Sequence, residues 1–172
     1  MEKTNTKKTS KYKKIILYGF MCSGKTTVAK SISKKLGLKF YDIDTEFEKI
    51  HGRISDFTKR YGFTNFRKIE KKIFSKILKE ENCVIATGGG FFPTKKPQAL
   101  EIFLNPPFEI LEKRFLKNKN TRPLLTGYPE TKKKIITLYK KRLKKYSKAL
   151  ITIKEIKLRE ITNKIKAAYY GN

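Results

Sequence analysis

Five short apolar runs alternate along the chain with longer segments whose apolar residues recur at helical spacing. The runs cover residues 15–18, 39–43, 83–87, 101–104 and 149–153. Helical spacing is found at Val28, Ile32 and Leu36, at Ile69, Ile73 and Ile77, at Ile135, Leu138 and Leu143, and at Ile161, Ile165 and Ala168. Alternation of this kind is typical of a parallel sheet covered by helices on both faces. We therefore predict an α/β protein with three α/β/α layers and a five-stranded parallel sheet.

The chain length and composition predict one domain preceded by a short tail. A chain of 172 residues can form one α/β domain with a full core, and we expect that domain over residues 13–170. A flexible basic tail is expected over residues 1–12, which lack the apolar stretch of a secretory signal. No apolar run approaches the roughly 20 residues that a membrane span needs, so no membrane contact is expected.

The two cysteines suggest a compartment. Cys22 and Cys83 provide neither a disulfide framework nor metal-ligand spacing. Free thiols of this kind fit a reducing cytosol, so we expect a cytoplasmic protein.

The charge balance is extreme, with 42 lysines and arginines against 15 acidic residues and a net charge of +27. Such a charge raises the question of a nucleic-acid partner. The basic residues are mostly lysines scattered over nearly every predicted helix, and no aromatic–basic RNA-binding signature accompanies them. We therefore expect no nucleic-acid partner and interpret the lysines as solvated helix faces.

Residues 19–26 form a complete phosphate-binding loop, G-x-x-x-x-G-K-[ST], between the first predicted strand and the first predicted helix. Loop N–H groups and the helix dipole would bind phosphates there, as in the P-loop NTPase fold. Lys25 would reach the β- and γ-phosphates, and the Thr26 hydroxyl would ligate Mg²⁺. The predicted ATP contacts are Met21, Cys22, Ser23, Gly24, Lys25, Thr26 and Thr27. The alternative is an ordinary glycine turn.

Two carboxylates, Asp42 and Asp44, follow the second predicted strand. Side chains at i and i+2 of an extended chain point the same way. One carboxylate could hold Mg²⁺, directly or through water, and the other could accept the proton of a substrate hydroxyl. The alternative is an aspartate that only caps a helix.

Three glycines in succession, Gly88, Gly89 and Gly90, follow the third predicted strand. Such a run costs backbone entropy, and it is useful where backbone must approach a ligand closely. The alternative is a flexible loop.

Arginines are few among many lysines, and three of them are candidate anion ligands because a planar guanidinium suits a carboxylate or phosphate. Arg67 lies near a predicted helix start, where Glu70 at i+3 could hold its guanidinium in place. Arg122 lies in a polar segment between helices with the composition of a mobile lid. Arg142 lies on a long predicted helix. Each could instead be a surface charge.

Taken together, these motifs resemble the shikimate kinase family, which belongs to the nucleoside-monophosphate-kinase-like branch of P-loop proteins. The resemblance runs from about residue 13 to about residue 168. It rests on Gly19-Phe20-Met21-x-x-Gly24-Lys25-Thr26, Phe40-x-Asp42-x-Asp44, Gly52-x-Ile54, Gly62-x-x-x-Phe66-Arg67-x-x-Glu70, Gly88-Gly89-Gly90, Arg122-Pro123-Leu124-Leu125 and Arg142-x-x-x-Tyr146.

The resemblance implies transfer of the γ-phosphoryl of ATP to the 3-hydroxyl of shikimate, in the chorismate pathway to aromatic amino acids, by a monomer. It implies catalytic roles for Lys25, Asp44 and Arg122, with Arg122 also on ATP. Thr26 and Asp42 would serve Mg²⁺. The implied shikimate ligands are Asp44, Arg67, Gly88, Gly89, Gly90 and Arg142. The implied lid covers about 112–128, and the shikimate-binding segment covers about 44–72.

Two points stay open at this stage. Arg114, which precedes the implied lid's polar stretch, is a candidate for stacking on the adenine base. The alternatives to the implied activity are another small P-loop kinase acting on gluconate or nucleotides, a nucleic-acid-binding P-loop protein, and a catalytically inactive relative.

Overall fold

The computed structural model describes residues 10–92, 98–117 and 130–171. These residues form five strands and six helices. The strands are β1 (Lys14–Tyr18), β2 (Lys39–Asp42), β3 (Cys83–Ala86), β4 (Ala99–Leu104) and β5 (Ile151–Ile153). The helices are α1 (Lys25–Leu36), α2 (Ile43–His51), α3 (Ile54–Ile77), α4 (Phe108–Lys117), α5 (Glu130–Tyr146) and α6 (Leu158–Tyr170).

The five strands form one sheet in the order β2-β3-β1-β4-β5, and every neighbouring pair is parallel. All five residues of the central strand β1 are buried, which explains why its sequence is a continuous apolar run. Because the strands are parallel, their carboxyl ends share one edge of the sheet. The loop after β1 therefore emerges at the middle of the edge where α/β proteins bind ligands.

Helices cover both faces of the sheet, as the alternation predicts. Ile15 and Leu17 of β1 pack in one cluster with residues of α1 and α6. Ile16 and Tyr18 face the other way, into a cluster with residues of α3 and α5. The predicted three-layer α/β/α fold with a five-stranded parallel sheet is confirmed.

A third cluster lies under the loop that follows β1. Phe20 and Met21 of this loop pack against Leu111 and Phe115 of α4 and Ile135 of α5. Two loop side chains are therefore anchored in apolar core, which gives the phosphate loop a fixed base.

All five predicted strands are present, but each differs from its predicted bounds by one or two residues at one end, and two helices were not predicted from the periodicity. Ile43 begins α2 rather than ending β2, because the Asp42 side chain accepts hydrogen bonds from Asp44 N and Thr45 N and so caps a helix. The last strand begins at Ile151, two residues later than predicted. Helices α2 and α4 are only 9 and 10 residues long, too short to show a strong repeat.

Residues 10–12, the last part of the expected tail, contact the core. Ser10 Oγ donates to the carbonyl of Tyr169 at 2.5 Å, and Tyr12 packs against the α1–α6 side of the core. The rest of the expected tail lies outside the described residues. So do Arg122 and the predicted lid beyond residue 117. In the described part of the chain, helices long and apolar enough to cross a bilayer are absent.

Candidate active site

The N-terminus of α1 is left open in a way that suits an anion. Gly24 precedes the helix in a left-handed conformation (φ 93°, ψ 14°), and no side chain caps the helix. Its first turn holds no acidic residue, whereas α2 is capped by Asp42 and carries acidic residues in its first turn. The first N–H groups of α1 lack partners within the helix, and the dipole adds partial positive charge there. These features match a phosphate site.

Lys25 stretches back across the loop. Its Nζ donates to the carbonyls of Gly19 and Phe20, both at 3.0 Å. The side chain is buried, so the ammonium group is held in a fixed position beside the open helix terminus. Lys25, the predicted phosphate ligand, therefore lies in the phosphate loop and lines the cavity above it.

A cavity of about 490 Å³ opens above the phosphate loop. All seven residues predicted to contact ATP outside the lid line it. Its other lining residues are Val28, Asp42, Asp44, Thr87, Gly89, Arg114, Ile156, Leu158 and Ile161. The cavity thus joins the carboxyl ends of several strands across the sheet.

Thr26 and Asp42 form the pair predicted to serve the metal. The Thr26 hydroxyl donates to Asp42 Oδ2 at 2.6 Å, while Asp42 Oδ1 caps α2. Because the Thr26 hydroxyl proton is donated to Asp42, the lone pairs of the hydroxyl oxygen can face a cation. Mg²⁺ in kinases typically takes one or two protein oxygens and completes its shell with phosphate and water. The donor set fits that arrangement, although the described residues contain no group of three or more acidic, histidine or cysteine side chains that could hold a metal ion by themselves.

Asp44 lies in the first turn of α2, not in extended chain as the i, i+2 argument assumed. Helix capping by Asp42 turns the chain there, so the two carboxylates take different positions. A Cβ placed on Gly88 would lie 2.8 Å from Asp44 Oδ1 and 2.2 Å from Glu70 Oε1. Asp44 therefore lines the cavity on one side and approaches the glycine run on the other.

Two guanidinium groups converge beside Gly90. A Cβ placed there would lie 2.3 Å from Arg67 Nη2 and 2.9 Å from Arg142 Nη2. Arg67 forms the predicted ion pair with Glu70, whose carboxylate is fully buried. Arg142 Nη1 donates to the carbonyl of Gly89 at 2.7 Å. The predicted cation ligands are thus brought together, and the prediction that Glu70 holds Arg67 is confirmed.

Side chains at residues 88–90 would collide with groups from other parts of the chain. Gly88 admits two carboxylates, and Gly90 admits two guanidinium groups. A Cβ on Gly89 would lie 3.1 Å from the backbone nitrogen of Met21 in the phosphate loop. The run therefore lies between the phosphate loop and the arginine pair. Its glycines let protein groups approach closely, whereas from the sequence we expected them to admit a ligand.

Burial shifts several titrations in this cluster. Desolvation raises the pKa of Glu70, although the neighbouring Arg67 opposes the shift. Desolvation lowers the pKa of Arg142, and the nearby positive charge of Arg67 adds to this. Burial raises the pKa of Tyr146 to about 12. Proton affinities perturbed together around a cleft are characteristic of functional sites.

The sequence reasoning missed several contributors. The Tyr146 hydroxyl donates to Gly89 O at 2.6 Å, so it shares an acceptor with Arg142, four residues earlier on α5. That spacing was visible in the sequence, but the shared partner was not. Ile156 and Leu158 line the cavity from the segment after β5, where nothing in the sequence marked them. Arg122, predicted on the transferring phosphate, lies outside the described residues.

The sequence model of the family described as "Shikimate kinase" matches residues 21–169. This chain belongs to the shikimate kinase family. The match includes the phosphate loop from Met21 onward, the glycine run and both arginines of the cluster.

Individual shikimate kinases agree over most of their length. The chain is 36% identical to the shikimate kinase of Aquifex aeolicus over 167 residues, covering 92% of this chain and 97% of that one. Its identity to the Persephonella marina shikimate kinase is 39% over 146 residues, covering 81% and 87%. The Acinetobacter baumannii shikimate kinase, solved in complex with shikimate, superposes with a TM-score of 0.82 at 30% identity over 94% of each chain.

Replacing Glu70 with Gln tests the buried carboxylate in this member of the shikimate kinase family. Because burial raises the pKa of Glu70, the folded state binds that proton more tightly than the unfolded state. The stability contribution of Glu70 is then present below its ordinary pKa and lost as pH rises through the raised value. Urea titrations at a series of pH values would give the free energy of unfolding of the wild type and of Glu70→Gln. The wild-type value minus the variant value should fall as pH rises through this range. A pH-independent difference would contradict the assignment, and Glu81→Gln, at an exposed carboxylate, is the matched control.

Replacing Gly90 with Ala tests the arginine pair. The three heavy atoms nearest to the new methyl group belong to the guanidinium groups of Arg67 and Arg142, which are flexible side-chain ends, so the fold should persist while both groups shift. Misplacing positioning groups by about 1 Å can cost on the order of 100-fold. We expect the KM for the phosphoryl acceptor to rise at least about tenfold and the KM for ATP to stay within about twofold. Steady-state kinetics would count against the pair if the acceptor KM did not move.

Proposed function

We propose that this chain transfers the γ-phosphoryl of ATP to the 3-hydroxyl of shikimate, giving shikimate 3-phosphate and ADP. The observation that carries the proposal is the convergence of Arg67 and Arg142 beside Gly90, whose neighbour Gly89 lines the phosphate-loop cavity together with Asp44. Membership of the shikimate kinase family supports the same conclusion.

The acceptor half of the site fits a small hydroxylated carboxylate. Arg67 and Arg142 bring two positive charges to one point, and the buried carboxylate of Glu70 compensates one of them. One positive charge is left to match the single carboxylate of shikimate. Guanidinium forks recognise carboxylates through two parallel N–H donors, which would also orient the ring.

Asp44 is the proposed acceptor of the hydroxyl proton. It lines the nucleotide cavity and approaches the carboxylate of Glu70 across Gly88, so it lies between the two halves of the site. A shikimate molecule held by its carboxylate at the arginine pair would direct ring hydroxyls toward this side chain. Positioning of this kind lowers the barrier because the reactants no longer have to find one another.

The donor half orients ATP and stabilises the charge that develops on the γ-phosphoryl group. Lys25 and the open N–H groups of α1 surround the phosphate position. In the reaction the bond between the γ-phosphorus and the β,γ-bridging oxygen breaks, and a bond to the shikimate hydroxyl oxygen forms. ADP leaves, and Asp44 takes the hydroxyl proton. Fixed cations and N–H donors stabilise such a transition state because they need no reorganisation.

Thr26 and Asp42 are the proposed holders of Mg²⁺, Thr26 through its hydroxyl oxygen and Asp42 through a water. A bound Mg²⁺ would neutralise negative charge on the β- and γ-phosphates. Asp42 also accepts the Thr26 proton, which fixes the hydroxyl orientation. We further propose, from its sequence position alone, that Arg122 contributes another cation to the transferring phosphate.

Shikimate-dependent release of ADP is the direct test of this function. The chain should release ADP from ATP rapidly with shikimate, and slowly with gluconate, nucleoside monophosphates or no acceptor. A preference for one of the other acceptors would assign the site to a different small kinase.

Asp44→Asn should nearly abolish turnover, because the amide cannot take up the hydroxyl proton at neutral pH. General base catalysis typically contributes on the order of 100- to 10,000-fold to a rate. ATP binding should be largely retained, since Asp44 does not belong to the phosphate loop. Fixed-time assays of product formation measure turnover, and equilibrium titrations measure ATP binding, so the two measurements separate a loss of turnover from a loss of ATP affinity. A near-normal kcat would remove the proposed role.

Arg67→Lys should raise the KM for shikimate, because a point charge replaces a planar fork. Each hydrogen bond between charged groups is worth roughly 1.5–3 kcal/mol, so an increase of about tenfold or more is expected. Arg60→Lys is a matched control on the helical segment before the kink at Gly62, since the Arg60 guanidinium lies over the Tyr61 ring. Equal shikimate KM values for both variants would contradict the assignment of Arg67.

A further inference from the structure

The guanidinium of Arg142 lies over the ring of Phe20, a residue of the phosphate loop. Its Cζ is 5.3 Å from the ring centroid. Phe20 directly follows Gly19, the first glycine of the loop motif, and it is 1% exposed. A cation over an aromatic face is attracted by the negative charge of the π-system, and the attraction is stronger where water is excluded. The phosphate loop therefore also supplies a surface for an arginine of the acceptor side.

The Phe20 ring is itself held by two other rings. It makes an edge contact with Phe115 of α4, with centroids 6.0 Å apart and an interplanar angle of 72°. A second edge contact joins it to Tyr139 of α5, at 5.4 Å and 81°. The Tyr139 hydroxyl donates to Asn105 Oδ1 at 2.8 Å, which ties that ring to the end of β4. Because edge-to-face pairs have a preferred geometry, the face under Arg142 has a fixed orientation.

Arg142 meets the phosphate loop a second time through the glycine run. Its Nη1 donates to the carbonyl of Gly89 at 2.7 Å, and the Tyr146 hydroxyl donates to the same oxygen at 2.6 Å. A Cβ on Gly89 would lie 3.1 Å from the backbone nitrogen of Met21, so this part of the run packs directly on the loop. Phe20 therefore supports Arg142 directly, and Met21 supports it through Gly89.

Arg142 needs this support because its neighbour is a second cation. The Nη2 atoms of Arg67 and Arg142 both approach the position of a Cβ on Gly90. Glu70 forms a salt bridge with Arg67, but no carboxylate within residues 10–92, 98–117 and 130–171 forms one with Arg142. Burial lowers the pKa of Arg142, and the positive charge of Arg67 adds to this effect. An uncharged ring attracts the guanidinium without neutralising it, so its charge stays available to an anion.

We propose that Phe20 is a positioning residue for the phosphoryl acceptor: its aromatic face holds the Arg142 guanidinium in the orientation that binds the acceptor carboxylate. The proposal rests on the proposed function, in which Arg142 is a ligand of shikimate. Phe20 acts through Arg142, and the bond changes of the reaction are unaffected. One residue inside the phosphate-binding motif thereby serves the acceptor.

Phe20→Leu tests the ring, because leucine keeps an apolar side chain in the cluster and removes the π-face. Without that face, the Arg142 side chain has to be ordered when the acceptor binds, which costs roughly three- to tenfold in affinity. We therefore expect steady-state kinetics to show a rise of roughly three- to tenfold in the KM for shikimate, with the KM for ATP constant within about twofold. An unchanged KM for shikimate, or a rise confined to the KM for ATP, overturns the proposal.

Phe115→Leu is the matched control. Phe115 belongs to the same apolar cluster and its ring contacts that of Phe20, but across the described segments it makes no cation–π contact with an arginine. A general loosening of the cluster should change the KM for shikimate equally in both variants, and that outcome overturns the proposal. If Phe20→Leu does not fold, Phe20→Met takes its place, because methionine fills irregular apolar space.

A double-mutant cycle shows whether Phe20 acts through Arg142. Arg142→Gln should raise the KM for shikimate more than Phe20→Leu does, because the charge itself is lost. Adding Phe20→Leu to Arg142→Gln should then leave this KM unchanged, since the group that the ring holds is already absent. Independent effects that multiply in the double variant overturn the proposal.

An NMR measurement on the ligand-free chain does not depend on turnover. Protons above an aromatic face are shifted by the ring current, so the Nε–Hε resonance of Arg142 reports on the contact. This resonance, assigned by its absence in Arg142→Gln, should move in Phe20→Leu and keep its position in Phe115→Leu. If it moves as expected while shikimate supports no turnover, only the proposed function fails. If it stays in place in Phe20→Leu, the positioning role of Phe20 is overturned whatever the kinetics show.

Discussion

A methyl group at residue 88, 89 or 90 would occupy space that other segments already use, and the architecture of the site depends on that constraint. Glu70 and Asp44 approach the first position, the phosphate loop approaches the second, and two arginines approach the third. These groups come from α2, α3, α5 and the loop after β1. The turn after β3 carries no side chains at these three positions, so all four segments approach one another there.

Positive and negative side chains lie close together around this turn. Two guanidinium groups at one point repel each other, and burial makes the repulsion stronger than it would be in water. The fully buried Glu70 offsets this repulsion, and the Gly89 carbonyl accepts hydrogen bonds from both Arg142 and Tyr146. The arginines are therefore held by protein groups before any anion arrives. Preorganisation of this kind reduces the free energy that binding must spend on ordering side chains.

Local patterns predicted the sheet, its layers and the phosphate loop, because strand–helix alternation and the loop motif are encoded over short stretches. They also paired Arg67 with Glu70, since both lie on one helix. Local patterns could not predict contacts between distant segments. The carbonyl shared by Arg142 and Tyr146 depends on the packing of α5, and the cavity position of Ile156 depends on where β5 ends. The mistaken geometry of Asp42 and Asp44 has one cause, the helix cap that turns the chain between them.

The strand order has a consequence for how this enzyme could diverge. Strands β2 and β3 are neighbours in the sheet, and the whole connection between them, residues 43–82, carries α2 and α3. That connection holds Asp44, Arg67 and Glu70, whereas the phosphate loop, the glycine run and Arg142 lie elsewhere in the chain. Changes in length or sequence between two adjacent strands leave the sheet register intact. In a scaffold of this kind, a change confined to one connection can alter Asp44, Arg67 and Glu70 while the phosphate loop, the glycine run and Arg142 are inherited unchanged.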